Sequence, residues 1–320
     1  MNVIIIHNRI PPDAAPDEAD VLSQVQLVLN NLIPAGHQVS IMDIGENLFG
    51  DIDRIRKEEP DIVFNLVESV FGKNELLYIV PAMLEAFRIT YTGAPAESLL
   101  LTTNKVTAKK IMKQAGIPTP EWFYDQDYKL LDKKKKYIRK PVREDGSVDL
   151  DEDAVFKPAD PILTGSTESP ETNRFFVEEF IDGREFNISL LADQTAPEVL
   201  PQAEIVFQNF PPDKEKIVGY RAKWDQKTFE YGNTVRKFNT LNKENELSDK
   251  MSKITLQCWE VFGLKGYARV DFRVDQFDNP YVLEINANPC ISPDSGFIAA
   301  AREAGHTQED VIQRILTDIN

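Results

Sequence analysis

Asp271, Glu284 and Asn286 are the residues whose types and spacing most directly imply chemistry. They lie in two β-rich runs, GYARVDFRV (266–274) and YVLEINANP (281–289), on either side of a segment carrying Asp278-Asn279-Pro280, a hairpin signal. Residues two apart in a strand share a face. Arg269, Asp271 and Arg273 therefore lie together on the first run, and Glu284, Asn286 and Asn288 on the second. Pairing the runs brings Asp271, Glu284 and Asn286 to one place. Two carboxylates and an amide oxygen are hard ligands, suited to magnesium held jointly with phosphate oxygens. Manganese fits the same set, whereas zinc and iron do not. The competing reading makes Asp271 and Glu284 ion-pair partners of Arg269 and Arg273 on a solvated hairpin. Val270, Phe272, Leu283 and Ile285, interleaved and apolar, argue instead for a hairpin lying on a core with its polar face lining a cleft. Spacing alone leaves both readings standing.

Two further segments carry chemistry only in context. VEEFIDGREF (177–186) is an apolar and acidic strand that enters a tight turn at Asp182-Gly183 and leaves through Glu185. YIRKP (137–141) is a strand that ends in Lys140. No G-x-x-x-x-G-K-[ST] loop, G-x-G-x-x-G turn or G-x-S-x-G elbow occurs, which weighs against P-loop, dinucleotide-fingerprint and serine-hydrolase chemistry. The histidines His7, His37 and His306 are scattered, so a histidine-based zinc site is not expected.

The elements that must position these residues change character along the chain. The first hundred residues alternate strand and helix: strands over 3–8, 38–44 and 61–67, and helices over 19–33 and 51–59 and through 87. That is the pattern of a doubly wound parallel sheet, which binds ligands beyond the carboxyl ends of its strands. The segments 7–20 and 65–74 fall there, and His7 at a strand end could touch substrate or be structural. A helix is expected over 102–115, capped by Thr103 or Asn104 and ended by Gly116-Ile117-Pro118. Strands follow over 136–140, 153–156, 175–180 and 185–191, and 159–173 reads as a surface loop. Boundaries near 102 and 184 predict three domains, 1–102, 103–183 and 184–320.

With 320 residues, 36 Lys plus Arg against 52 Asp plus Glu, and a formal charge of −16, the chain repels phosphate backbones and anionic lipid. Nucleic-acid and membrane-surface partners are not expected. The basic run 133–136 reads as a solvated turn. The apolar start, Met1 to Ile6, is a buried first strand and neither a signal peptide nor a membrane span. With only Cys258 and Cys290, a reducing cytoplasmic home is expected.

Taken together, the segments TNK (103–105), IPTP (117–120), KPVREDGSV (140–148), VEEFIDGREF (177–186), YRAKW (220–224), GYARVDF (266–272) and EINANPCISPDSGF (284–297) resemble the D-alanine–D-alanine ligase branch of the ATP-grasp superfamily. The resemblance runs from about residue 100 almost to the end and implies an α/β fold of three domains with ATP between the second and third. It implies a ligase that activates a small carboxylic acid as its acyl phosphate and passes it to an amine, working as a homodimer. On it, Lys105 and Lys140 would bind ATP phosphates and Lys223 the γ-phosphate. Glu178 and the backbone of Glu179 and Ile181 would read adenine, with Glu185 on the ribose. Asp271, Glu284 and Asn286 would hold two magnesium ions. Arg269 would face the tetrahedral intermediate and, with Ser295, an acceptor carboxylate, and Glu18 would hold the first substrate's amino group. A backbone N–H near Cys290 would serve the oxyanion, and the thiol could act as a nucleophile or merely line the pocket. The departures cluster in the substrate half: His7 to Pro12 and Asn65 to Glu75 replace glycine-rich segments of the ligases. Cys290 stands where glycine is usual, Trp224 where tyrosine is usual, and Gly146 near a serine position. An acid bulkier than alanine is therefore expected.

Overall fold

The structure, a computed structural model, describes residues 1–143, 150–158, 174–241 and 245–319. The segment 159–173 and Gly146 lie outside the described residues. Thirteen strands form three sheets among those described. β1 (Asn2–Asn8), β2 (Gln38–Ile44) and β3 (Ile62–Asn65) make a parallel sheet in the order β2-β1-β3. Alternate residues of β1 enter different cores: Val3 and Ile5 pack with the helix Val21–Leu32, and Ile4 and Ile6 with Ile52, Ile55, Val80 and Leu84. Helices therefore cover both faces, which is why β1 reads as an unbroken apolar run.

β4 (Trp122–Tyr124), β5 (Tyr137–Pro141), β6 (Val155–Phe156) and β7 (Phe175–Glu179) form a four-stranded antiparallel sheet in the order β4-β7-β5-β6. β8 (Arg184–Leu191), β9 (Glu198–Val199), β10 (Ala203–Phe207), β11 (Thr234–Lys237), β12 (Tyr267–Val274) and β13 (Pro280–Asn286) make the third sheet, with the path β11-β10-β8-β12-β13 and β9 beside β8. The chain passes from the second sheet to the third through Gly183. A Cβ there would clash with the Val274 carbonyl oxygen, so this close approach requires glycine.

One expectation needs adjusting. The helix expected over 102–115 is two helices, Ala96–Thr103 and Lys105–Gln114, broken at Asn104. The Asn104 side chain accepts from Thr107 N and caps the second helix, whereas Thr103 belongs to the end of the first. The C-terminal helices Gly296–Glu303 and Gln308–Thr317 return to the first sheet. Phe297, Val311, Ile312 and Ile315 share a core with Val3, Ile5, Val28 and Leu32. Arg314 fixes that return by donating to the Ala192 and Leu191 carbonyls and pairing with Glu198. No helix among the described residues is long and apolar enough to cross a membrane.

Candidate active site

The β12–β13 hairpin forms as its turn chemistry predicts. Asp275 closes the turn, accepting from Phe277 N and Asn279 N at 2.9 Å, and Asp278 takes the left-handed conformation. Asp271 stands directly opposite Glu284, and Arg269 opposite Asn286. The register then slips, so that Phe272 pairs with Val282. This bulge corrects one expectation: Val282, not Leu283, enters the core, and Leu283 turns to the cleft. Bulges re-aim side chains in this way beside functional sites.

The residues that the resemblance assigns to ATP, metal and substrate, from Glu18 and Lys105 to Cys290 and Ser295, line one cleft of about 760 Å³ among the three sheets. Asn8, Asp20 and Glu68 join Glu18 on the side of the first sheet. His7 does not line it; its ring is buried, with Nδ1 2.8 Å from Asn8 O.

The floor is a set of opposed charges. Asp271 accepts from Arg269 Nε at 2.7 Å and Nη2 at 2.8 Å, and from Asn187 Nδ2 at 2.8 Å. Glu284 lies 3.5 Å from Lys105 Nζ. The ion-pair reading of the hairpin is thus half realised, since Asp271 pairs with Arg269. Arg273 pairs instead with Glu185, at 3.1 Å, and the hairpin is not solvated. Burial raises the Glu284 carboxyl, but Lys105, Lys223, Arg269 and Lys140 outweigh it and hold it down at about 2. Burial also lowers the Lys223 ammonium, assisted by the charge of Arg269 and opposed by Glu284 and Asp271. Glu185 is raised by burial and by Asp271, against Arg273.

The second sheet contributes a buried triad. Glu178, fully buried on β7, places one oxygen 2.6 Å from Lys109 Nζ and the other 2.6 Å from Lys140 Nζ. The two ammonium groups outweigh burial and hold its carboxyl below the usual range. A buried carboxylate without such partners would be untenable. Lys109 also donates to Thr119 Oγ1, which donates to the Val282 carbonyl on β13, so this lysine ties the second sheet to the third. Sequence reasoning missed Lys109 and Asn187, although each had a signal. Lys109 is four residues after Lys105 on one helix and shares its face. Asn187 is two after Glu185 on β8.

These residues can bind a polyphosphate: lysines on one side, two carboxylates and an amide on the other. No trio of His, Cys, Asp or Glu among the described residues could hold a metal by itself. Asp271, Glu284 and Asn286 fit an ion whose remaining ligands are phosphate and water oxygens.

The family described as D-ala D-ala ligase C-terminus matches residues 111–317. The chain belongs to this family. It is an ATP-dependent ligase of ATP-grasp fold that forms C–N bonds. It is 30% identical over 302 residues to the uncharacterized protein y4sG of Sinorhizobium fredii, a match covering 90% of this chain and 85% of that protein. It is 29% identical over 287 residues to the D-alanine–D-alanine ligase of Aquifex aeolicus, covering 88% and 89%. The D-alanine–D-alanine ligase of Bacillus anthracis superposes with a TM-score of 0.73 at 20% identity, over 99% of this chain and 97% of that one. The same enzyme complexed with ATP gives 0.72 at 20% identity, over 99% and 96%.

Cys290 is held as a neutral thiol. Its Sγ donates to Asp20 Oδ2 at 2.9 Å and accepts from Ser292 N at 3.3 Å. Burial and the Asp20 charge push its pKa up, and a thiol kept from ionising is a poor nucleophile. Cys290→Ser should keep turnover within about threefold, and iodoacetamide at neutral pH should label the native protein far more slowly than the unfolded chain. Rapid labelling with parallel inactivation would contradict this reading.

Proposed function

We propose that the chain joins a small carboxylic acid, bearing an amino group, to the amine of a second small molecule through an acyl phosphate formed with ATP. The observation that carries this is the facing of Lys105, Lys140, Lys223 and Arg269 against Asp271, Glu284 and Asn286 in one cleft. A carboxylate resists attack because its charge repels nucleophiles. Its oxygen attacks the γ-phosphorus and ADP leaves, a step that requires charge neutralisation rather than a covalent protein nucleophile. Lys140, Lys105 and Lys223 supply cationic charge along the phosphates. Magnesium, held by Asp271, Glu284 and Asn286, would neutralise the phosphate oxygens.

The amine then attacks the acyl carbon and inorganic phosphate leaves. Arg269 and the backbone N–H near Cys290 stabilise the oxyanion that develops between these events. Adenine lies along 178–181, read by the backbone of Glu179 and Ile181, while Glu178, buried between Lys109 and Lys140, acts through those lysines, and Glu185 accepts from the ribose. Glu18 holds the amino group of the first acid. Ser295, which caps the helix Gly296–Glu303 by accepting from Ile298 N at 3.2 Å, meets the acceptor's carboxylate with Arg269. Three domains (1–102, 103–183 and 184–320), a homodimer and a cytoplasmic location belong to the same proposal.

Trp224 lines the cleft and offers apolar area with a single donor where a hydroxyl would offer directional bonds. The first acid is therefore bulkier than alanine. The test is a pool of amino acids of both chiralities with ATP and magnesium, read by ADP release and by mass spectrometry of amides. Release of ADP that needs both an acid and an amine, with one amide dominating, is the expected result. D-alanyl-D-alanine formed faster than every other amide would contradict the bulkier-acid reading. ADP release with no amide would contradict the ligation.

A further inference from the structure

The acceptor end of the cleft holds a second guanidinium that the reaction outlined above does not use. Arg236, on β11, lines the cleft, with Nη1 3.5 Å from the Ser295 carbonyl and its guanidinium packed against Gly296. A Cβ added to Gly296 would meet Arg236 Nη2 at 3.3 Å, so the small residue makes room for the arginine. Arg269 is already bonded through Nε and Nη2 to Asp271. Among the described residues no carboxylate lies within 4.0 Å of Arg236. Asp294, also on the cleft wall, acts on it only at longer range, and the Arg269 charge opposes a second cation there. Arg236 is open to solvent at the cleft wall, and a planar guanidinium placed there suits a carboxylate.

We propose that the amine substrate is an amino dicarboxylic acid, with Arg269 and Ser295 holding the carboxylate beside the amine and Arg236 taking the second carboxylate. The inference rests on the assignment of this end of the cleft to the acceptor.

Glutamate and glutamine, and aspartate and asparagine, are the decisive pairs. Within each pair the shapes match and only the second charge differs. With ATP and a first acid that supports turnover, the acidic member of at least one pair should have a kcat/KM about tenfold or more above its amide, the size of one charge-assisted contact in a partly wet cleft. Arg236→Ala should bring that ratio close to one, and Arg236→Lys should restore part of it. The unmodified enzyme already discriminates, so the test does not depend on a variant folding. If every amide or neutral acceptor is used as well as its acidic partner, or if Arg236→Ala leaves the ratio unchanged, the inference fails while the ligase reading survives. If no acceptor of any charge yields an amide, the ligase reading itself fails and takes this inference with it.

Discussion

Glu284→Gln is expected to lower kcat by about 10²–10³-fold, the cost of losing one preorganised charge in a closed electrostatic site, while the protein still folds, with some loss of melting temperature because the surrounding cations lose a partner. The substitution keeps the shape of the side chain, removes one negative charge and turns one acceptor oxygen into an NH2 donor. Glu284 projects into the cleft opposite Asp271, with Lys105 3.5 Å away, so the substitution removes a charge and not an apolar contact. What is lost is a hard anionic ligand, leaving Asp271 as the one carboxylate of the set, itself bonded to Arg269. Titration with manganese in the presence of ADP, followed by electron paramagnetic resonance, should show weakened metal binding alongside the lost turnover. Near-normal turnover at saturating magnesium would remove Glu284 from the ligand set.

Lys140→Met is expected to act on both binding and stability. Its ammonium shares Glu178 with Lys109, so the triad carries one surplus positive charge facing the phosphates. Replacing Lys140 by a neutral chain of similar length deletes that surplus and leaves Glu178 with one partner. Breaking a buried ion pair by removing one member costs about 3–5 kcal/mol, and Lys140, partly open to the cleft, should lie at the lower end of that range. The ATP concentration needed for half-maximal rate should rise at least about tenfold, with a matching fall in affinity by calorimetry. The melting temperature should fall by several degrees. If ATP affinity is unchanged and only stability falls, Lys140 is a structural partner of Glu178 and the phosphate assignment of 140–148 is wrong.

The parts of the molecule that could be read in the sequence are those written in local periodicity. β1, β2 and the hairpin of β12 and β13 follow from apolar runs and turn residues, and the alternation on β12 and β13 placed Asp271, Glu284 and Asn286 on facing strands. The bulge at Leu283 could not be read, because Val282 and Leu283 are equally apolar and nothing local says which one enters the core. Asn104 shows a similar limit: a good N-cap within a helical pattern marks a break only when the preceding turn belongs to another helix. The buried triad escaped for a different reason. Lys109 reads as a surface residue of an amphipathic helix until Glu178, 69 positions later, is known to sit against it. The packing of Phe297, Ile312 and Ile315 on the first sheet is likewise a product of chain return and has no periodic signature. Arg236 gave no signal in the sequence, since one arginine on a short edge strand is ordinarily solvated.

The most direct test of the account follows oxygen. A first acid labelled with ¹⁸O in its carboxylate is turned over with ATP and an amine, and the inorganic phosphate is analysed by mass spectrometry. Activation as an acyl phosphate transfers one carboxylate oxygen to phosphorus, so each amide formed should release one phosphate carrying one ¹⁸O. Phosphate released without label while amide accumulates would contradict the central claim, because the acid would then have been activated by some route other than phosphoryl transfer to its carboxylate.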